Sequence, residues 1–273
     1  MPTQAEKAAA FRALHHRDQA FVIPNPWDAG TARLLEDLGF EALATTSAGH
    51  AFSLGRADGF VSREQALEHA AELAAATKLP ISADFENGFG DAPEAVAETI
   101  RLAAQAGLAG CSIEDRPREQ EPTVYALDYA AERVRAAVEA ARALPFPFTL
   151  TARAENYLVG RPDLDDTITR LQAYQEAGAD VLYAPALRSL DDIATLVRSV
   201  DRPVNVLMGM PGVALTLEQL SKVGVRRVSV GSALARAALG AFLRAAKEMR
   251  EAGTFSFAEE AAPYAEINAK LMD

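Results

Sequence analysis

Four acidic residues stand where two apolar, β-rich runs end. Asp84 and Glu86 lie in Ile81-Ser82-Ala83-Asp84-Phe85-Glu86-Asn87-Gly88-Phe89-Gly90, and Glu114 and Asp115 follow Cys111-Ser112-Ile113. Buried strands seldom end in clustered carboxylates unless a hard cation or a proton-transfer task offsets their mutual repulsion. Asp84 and Glu86 are two apart on extended chain, so their side chains point the same way. With Glu114 they form an all-oxygen donor set suited to Mg2+, with Mn2+ as a substitute, and some of the acids would reach the ion through water. The alternative is that one or two of them cap helices or pair with arginine. Asp115 is the weaker candidate, since Asp115-Arg116-Pro117 also reads as an ordinary loop turn.

Further polar residues fall at the ends of other apolar runs. Arg153, in Thr149-Leu150-Thr151-Ala152-Arg153-Ala154-Glu155, offers a planar fork for a carboxylate or phosphate, or a structural ion pair with Glu155 or Glu114; the two are compatible. Thr45-Thr46-Ser47-Ala48-Gly49-His50 combines hydroxyls with small residues, so its amides can approach a bound carboxylate closely. His50 is a candidate proton donor or a plain surface residue, and Asp58 an outer acid or a turn residue. Tyr183, Asn205 and the pair Gly231-Ser232 close the series. Cys111 sits inside a strand and reads as core.

The elements that must position these residues alternate regularly. Strands are predicted at 20–24, 41–45, 80–85, 109–114, 148–153, 180–184, 203–207 and 227–230, and helices at 29–38, 62–77, 93–105, 127–143, 164–176, 190–200, 217–223 and 233–251. Gly39, Gly107, Gly178 and Gly224 follow helices, and Pro93 opens one. Eight βα units in this length predict a (β/α)8 TIM barrel rather than an open doubly wound sheet. In such a barrel the strand-end residues converge on one mouth. No Gly/Ser/Pro-rich linker divides the chain, so residues 1–273 are expected to form one domain. Residues 1–18 read as an amphipathic helix ending near His15 and His16. Residues 253–273 form a helical tail, too apolar to float freely, that is expected to pack on the barrel or on a neighbouring subunit.

Composition narrows the partners. The chain has 273 residues, 49% hydrophobic and 24% charged, enough to bury a large core. A net charge of −11 disfavours nucleic acid and anionic membrane. One cysteine allows no intrachain disulfide and points to an intracellular, cytoplasmic protein. No segment has the roughly 20 apolar residues that span a bilayer.

The order Ser47-Ala48-Gly49, Asp58, Asp84-Phe85-Glu86-Asn87-Gly88-Phe89-Gly90, Ile113-Glu114-Asp115 and Thr151-Ala152-Arg153 resembles the isocitrate lyase / phosphoenolpyruvate mutase superfamily, from Phe21 to the eighth strand. The resemblance implies a (β/α)8 barrel holding Mg2+ and a 2-oxo acid or its enolate at the strand ends. It also implies a homo-oligomer, usually a tetramer, with a C-terminal helix exchanged between subunits. Asp84 would be the main metal-binding acid, Glu86 and Glu114 would act mostly through water, and Asp58 would be a further outer acid. Arg153 would bind a substrate carboxylate, and Ser47, Ala48 and Gly49 its other oxygens, with Thr45 and Asn205 beside them. The family more often has Asp where this chain has Glu86. The lyase loop Lys-Lys-Cys-Gly-His is replaced by Asp115-Arg116-Pro117-Arg118-Glu119-Gln120-Glu121-Pro122, and the Lys-Thr-Asn loop of phosphonate-processing members is absent. Isocitrate or methylisocitrate lyase, mutase and phosphonopyruvate hydrolase activities are therefore not expected.

A Mg2+-dependent lyase or decarboxylase remains, acting through an enolate on a small 2-oxo dicarboxylate such as oxaloacetate or a 2-oxoglutarate-like ligand. Arg116 or Arg118 is available for a distal carboxylate, and proton delivery falls to Tyr183, His50 or water. A non-catalytic 2-oxo acid binding protein on the same scaffold is the alternative. A Schiff-base aldolase ranks last, because Lys78 precedes its strand and Lys222 lies on a helix.

Overall fold

The computed structural model describes residues 1–118 and 123–272, so residues 119–122 of the divergent loop lie outside the described residues. Eight strands form one parallel sheet: β1 (Phe21–Ile23), β2 (Leu43–Ala44), β3 (Ile81–Asp84), β4 (Gly110–Glu114), β5 (Thr149–Arg153), β6 (Val181–Tyr183), β7 (Val204–Leu207) and β8 (Arg227–Ser229). The helices are α1 (Gln4–Leu14), α2 (Ala29–Asp37), α3 (Ser47–Ser53), α4 (Arg63–Ala76), α5 (Pro93–Gln105), α6 (Leu127–Arg142), α7 (Leu164–Glu176), α8 (Leu190–Arg198), α9 (Leu217–Lys222), α10 (Ala233–Glu251) and α11 (Tyr264–Leu271). This is the predicted (β/α)8 barrel, with neighbours running β1-β8-β7-β6-β5-β4-β3-β2.

Between β1 and β2 the ring closes without a ladder. Ala44 N donates to Pro24 O at 3.0 Å. The buried Asn25 side chain does the rest: its Nδ2 donates to Thr45 O at 2.9 Å, and its Oδ1 accepts from Val230 N at 3.0 Å and Gly231 N at 2.9 Å. One amide thus ties the ends of β1, β2 and β8.

Local signals explain the helix boundaries. Thr3, Asp28, Ser62 and Thr216 each make a capping box that satisfies two first-turn amides. Gly107 (φ 85°) and Gly178 (φ 103°) take the left-handed turn that sends a helix end into the next strand. One element departs from expectation: the segment from Ser47 to His50, which falls in none of the predicted helices, is the start of α3, capped by Thr46 Oγ1. Seven residues containing a glycine are too short for helical periodicity to register.

Helix α1 closes the N-terminal end of the barrel, packing Ala8, Phe11 and Leu14 with Phe21, Ile23, Ala42 and Ala109. The tail folds back so that α11 lies against α2, where Lys270 pairs with Asp37. In α10 only Ala235 is buried, while Phe242 and Leu243 are 66% and 64% exposed. Among the described residues no helix is long and apolar enough to cross a membrane.

His15, just past α1, is buried between Phe11 and Phe21, with ring centroids 4.8 and 5.1 Å away. Its Nδ1 meets Phe11 O at 2.9 Å. Burial, reinforced by the nearby Arg227 charge, pushes its pKa down to about 3. The unfolded chain therefore takes up a proton here below about pH 6.5 that the folded chain refuses, so His15 removes stability as pH falls from there toward 3. The half-buried Glu86, raised to about 7, acts with the opposite sign in the same range. Urea unfolding of wild type beside His15→Gln isolates the histidine: between pH 6 and 4 the variant should gain on wild type by up to about 1.4 kcal/mol per pH unit. A pH-independent difference would remove the linkage.

Candidate active site

Strands β3, β4 and β5 deliver their last residues to one point at the C-terminal mouth. The register aligns Asp84 with Ser112 and Glu114 with Arg153, so the acidic ends of β3 and β4 stand beside the basic end of β5. Arg153 is the centre of the cluster. Its Nη1 donates to Asp84 Oδ1 at 2.8 Å and lies 3.1 Å from Glu114 Oε2, while its Nε donates to Glu155 Oε1 at 3.0 Å. The guanidinium lies 5.2 Å from the centre of the Tyr183 ring. Asp84 is held from three sides, since its Oδ2 accepts from Ser47 Oγ at 3.0 Å and its amide donates to Thr45 Oγ1 at 2.8 Å.

Glu86 sits at the start of the β3 turn with φ 47°, a left-handed conformation unfavourable for a residue with a Cβ. The turn is locked by its surroundings: Gly88 N donates to Phe85 O at 2.7 Å, and the buried Arg133 donates to the carbonyls of Asn87, Gly90 and Asp91. Glu86 thereby faces back into the mouth, where Arg118 Nε lies 3.4 Å from its Oε2. Arg118 also donates to Gly59 O and Val61 O at 2.6 and 2.8 Å, which ties the segment after β4 to the loop carrying Asp58.

Buried charge behind the mouth fixes β4 against β5. Asp115 Oδ1 accepts from Glu155 N at 2.8 Å, and its Oδ2 accepts from Tyr174 Oη at 2.6 Å and Arg170 Nη1 at 3.1 Å. Arg170 in turn donates to Asp166 at 3.0 Å and to Tyr125 O at 2.9 Å. Asp115 is therefore a strut and not a loop turn residue, and it sets the position from which Glu155 meets Arg153.

The mouth opens into two cavities that share a wall at Ser47, Asp58, Arg153 and Leu158. The outer one, of about 320 Å³, lies between Glu86, Glu114 and Glu155 and the arginines 116, 118 and 153. The inner one, of about 250 Å³, descends into the barrel between Thr45, Asp84, Tyr183 and Asn205. Burial pushes Glu86 up to about 7 against the pull of Arg118, raises Glu114 well above the usual carboxylate range, and raises Asp58 with help from the Asp84 charge. Around the mouth, Asp58, Asp84, Glu86, Glu114 and Glu155 outnumber the three arginines.

The structure thus brings together Asp84, Glu86, Glu114, Asp58, Arg153, Ser47, Thr45 and Tyr183. Ala48 lines the inner cavity beside them, whereas Gly49 is buried against Trp27 and Ala235, where an added Cβ would come within 3.3 Å. Asn205 is engaged at both ends, accepting from Arg227 Nε at 2.9 Å and donating to Ser229 Oγ at 3.0 Å. His50 stacks on His69 at 3.8 Å and is pushed down to about 4 by burial and by that neighbour, so at neutral pH it carries no excess proton to give. Tyr183 is buried and pushed up to about 12, a neutral phenol. Cys111 is buried, with its thiol pushed up by that burial. Reasoning from sequence missed Arg227 altogether and placed Glu155 only as an ion-pair partner. The one available signal for Arg227 was a charge opening an otherwise apolar strand.

Among the described residues no group of three or more His, Cys, Asp or Glu side chains is arranged to hold a metal ion by itself. The donor set is nonetheless all oxygen, carries an excess of negative charge, and includes acids whose raised values report repulsion and burial without enough countercharge. That chemistry fits a hard divalent cation reached partly through water.

The family model described as phosphoenolpyruvate phosphomutase matches residues 11–250. A solved structure from Burkholderia cenocepacia J2315, described as a candidate lyase/mutase, is 63% identical with a TM-score of 0.96, covering 99% of this chain and 97% of that one. Oxaloacetate decarboxylase from Chromohalobacter salexigens is 30% identical over 92% of this chain and 88% of its own length. The structure of 2,3-dimethylmalate lyase, described as a PEP mutase/isocitrate lyase superfamily member, is 25% identical with a TM-score of 0.86, covering 99% and 95%.

The Asp115 strut generates a direct expectation. Asp115→Ala leaves the buried Arg170 without that counterion and frees Glu155 N, which should cost about 3–5 kcal/mol in urea unfolding. A loss below about 1 kcal/mol would mean that the strut is dispensable.

Proposed function

The chain belongs to the phosphoenolpyruvate phosphomutase family, and from that premise we propose that it is a Mg2+-dependent carbon–carbon lyase or decarboxylase for a small 2-oxo dicarboxylate such as oxaloacetate. The observation that carries this reading is the cluster of Asp84, Glu114 and Glu155 around Arg153, with Ser47 on the free side of Asp84. Kinship with an oxaloacetate decarboxylase and a dimethylmalate lyase supports a lyase acting on small carboxylic acids.

Asp84 would hold Mg2+, with Glu86, Glu114 and Asp58 acting through its waters. When bound, the ion supplies Lewis-acid stabilisation of the charge that builds on the keto oxygen as the bond breaks. The remaining work belongs to side chains. Ser47 and the first turn of α3 would orient the carboxylate next to the keto group, with Thr45 fixing Asp84 beneath it. Arg153 would keep the acids in register and oppose their charge. Tyr183, neutral and under the guanidinium, is the preferred proton donor over His50. The exposed apolar residues of α10 would be covered by a second copy, giving a homo-oligomer, and the single cysteine supports a cytoplasmic setting.

A second reading is a 2-oxo acid binding protein without turnover, favoured by the absence of a cysteine or histidine from residues 115–122. One experiment separates them: turnover of a panel of 2-oxo acids with and without Mg2+, beside calorimetry with the same acids. Metal-dependent turnover of a dicarboxylate is expected, falling on the order of 10³-fold in Asp84→Ala. Binding without product selects the second reading, and full activity in Asp84→Ala overturns the first.

A further inference from the structure

The inner cavity ends on an arginine that has no acid. Arg227 is 5% exposed and lies on the same register line as the mouth residues, which runs Glu114, Arg153, Tyr183, Asn205, Arg227 across β4 to β8. Its Nε donates to Asn205 Oδ1 at 2.9 Å, and its Nη1 approaches His15 Nε2 at 3.4 Å. Both partners are neutral groups. No carboxylate among the described residues lies within ion-pair distance of it. Burial draws its pKa down to about 10, with Tyr183 pulling up and the Arg153 charge pushing down, so it remains a cation at neutral pH.

The contrast with Arg153 is chemical. Arg153 faces three protein carboxylates and has its charge more than answered. Arg227 lines a cavity of about 250 Å³ whose other walls include the hydroxyl residues Thr45, Ser82, Ser112 and Ser229. Buried charges are ordinarily paired, and an unpaired guanidinium facing a polar cavity is the arrangement expected when the counterion is a ligand. Asn205 and His15 fix the fork from its other edges, so it is oriented before any ligand arrives.

We propose that Arg227 is the floor of the substrate cavity and binds the second carboxylate of a small dicarboxylate whose other end lies at Asp84. The assignment rests on the reading of the mouth as a carboxylate-binding site, and it names the group that would make that site select dicarboxylates over monocarboxylates. It also gives Asn205 a different role, as a positioning residue for Arg227 and not a direct ligand.

Calorimetry with malate and lactate, which differ by one carboxylate and present no keto group to be turned over, tests the proposal on the full chain with and without Mg2+. Wild type should bind malate about 10- to 100-fold more tightly than lactate. In Arg227→Met, which matches the stem without the charge, malate should weaken to near the lactate value while lactate is little changed. Arg227→Lys should keep part of the preference and serves where the Met variant does not fold. Equal loss of both ligands in Arg227→Met, no preference or no binding in wild type, or a folded Lys variant without preference would each overturn the assignment. Malate preference that depends on Arg227, found without turnover of any 2-oxo acid, would sustain it while removing the lyase reading.

Discussion

Five carboxylates cannot share one mouth without cations among them, and the cation that meets three of the five is Arg153. Its guanidinium reaches acids carried by β3, β4 and the segment after β5, so one side chain sets the spacing of three strand ends. Loss of either side of such a buried assembly leaves charge that neither water nor a neighbour can answer. The rest of the molecule supports that arrangement: Thr45 and Ser47 pin Asp84, the locked turn presents Glu86, and Asp115 fixes the backbone of Glu155.

Arg153 compensates only part of the charge. Asp84, in the acid-rich mouth, and the unanswered cation Arg227 both line one small cavity. A field of this shape orients a ligand along the cavity, with a cation favoured near Asp84 and an anion favoured near Arg227. Neutral hydroxyls between the two ends can accept or donate without biasing either pole.

Much of this was legible in the sequence because it is local. The eight strands declared themselves as apolar runs, four of them entered through a glycine that ends the preceding helix, and Asp84, Glu86, Glu114 and Arg153 were readable as polar residues at strand ends. What escaped was non-local. The Glu155–Arg153 pair was readable from its spacing of two, but Asp115 gains its role from the Glu155 amide and from Arg170, 40 and 55 residues away in the chain. Arg227 opens a short strand, where a charge usually means exposure, and only barrel closure turns it inward beneath Asn205. The helix from Ser47 was not predicted because seven residues containing Gly49 carry too little periodicity. His50 looked available until its stacking on His69 was seen.

The seam between β1 and β2 gives the barrel a mechanical asymmetry. Elsewhere the hoop is continuous, each strand laced to the next by repeated backbone bonds, but here it is fastened by a buckle whose pin is the amide of Asn25. A hoop under thermal load parts first at its fastening, and this one lies where β2 runs into Ser47 and α3. The arc at Ser47 thus borders the one seam without a ladder, while Glu114 and Arg153 end the longest ladder of the ring.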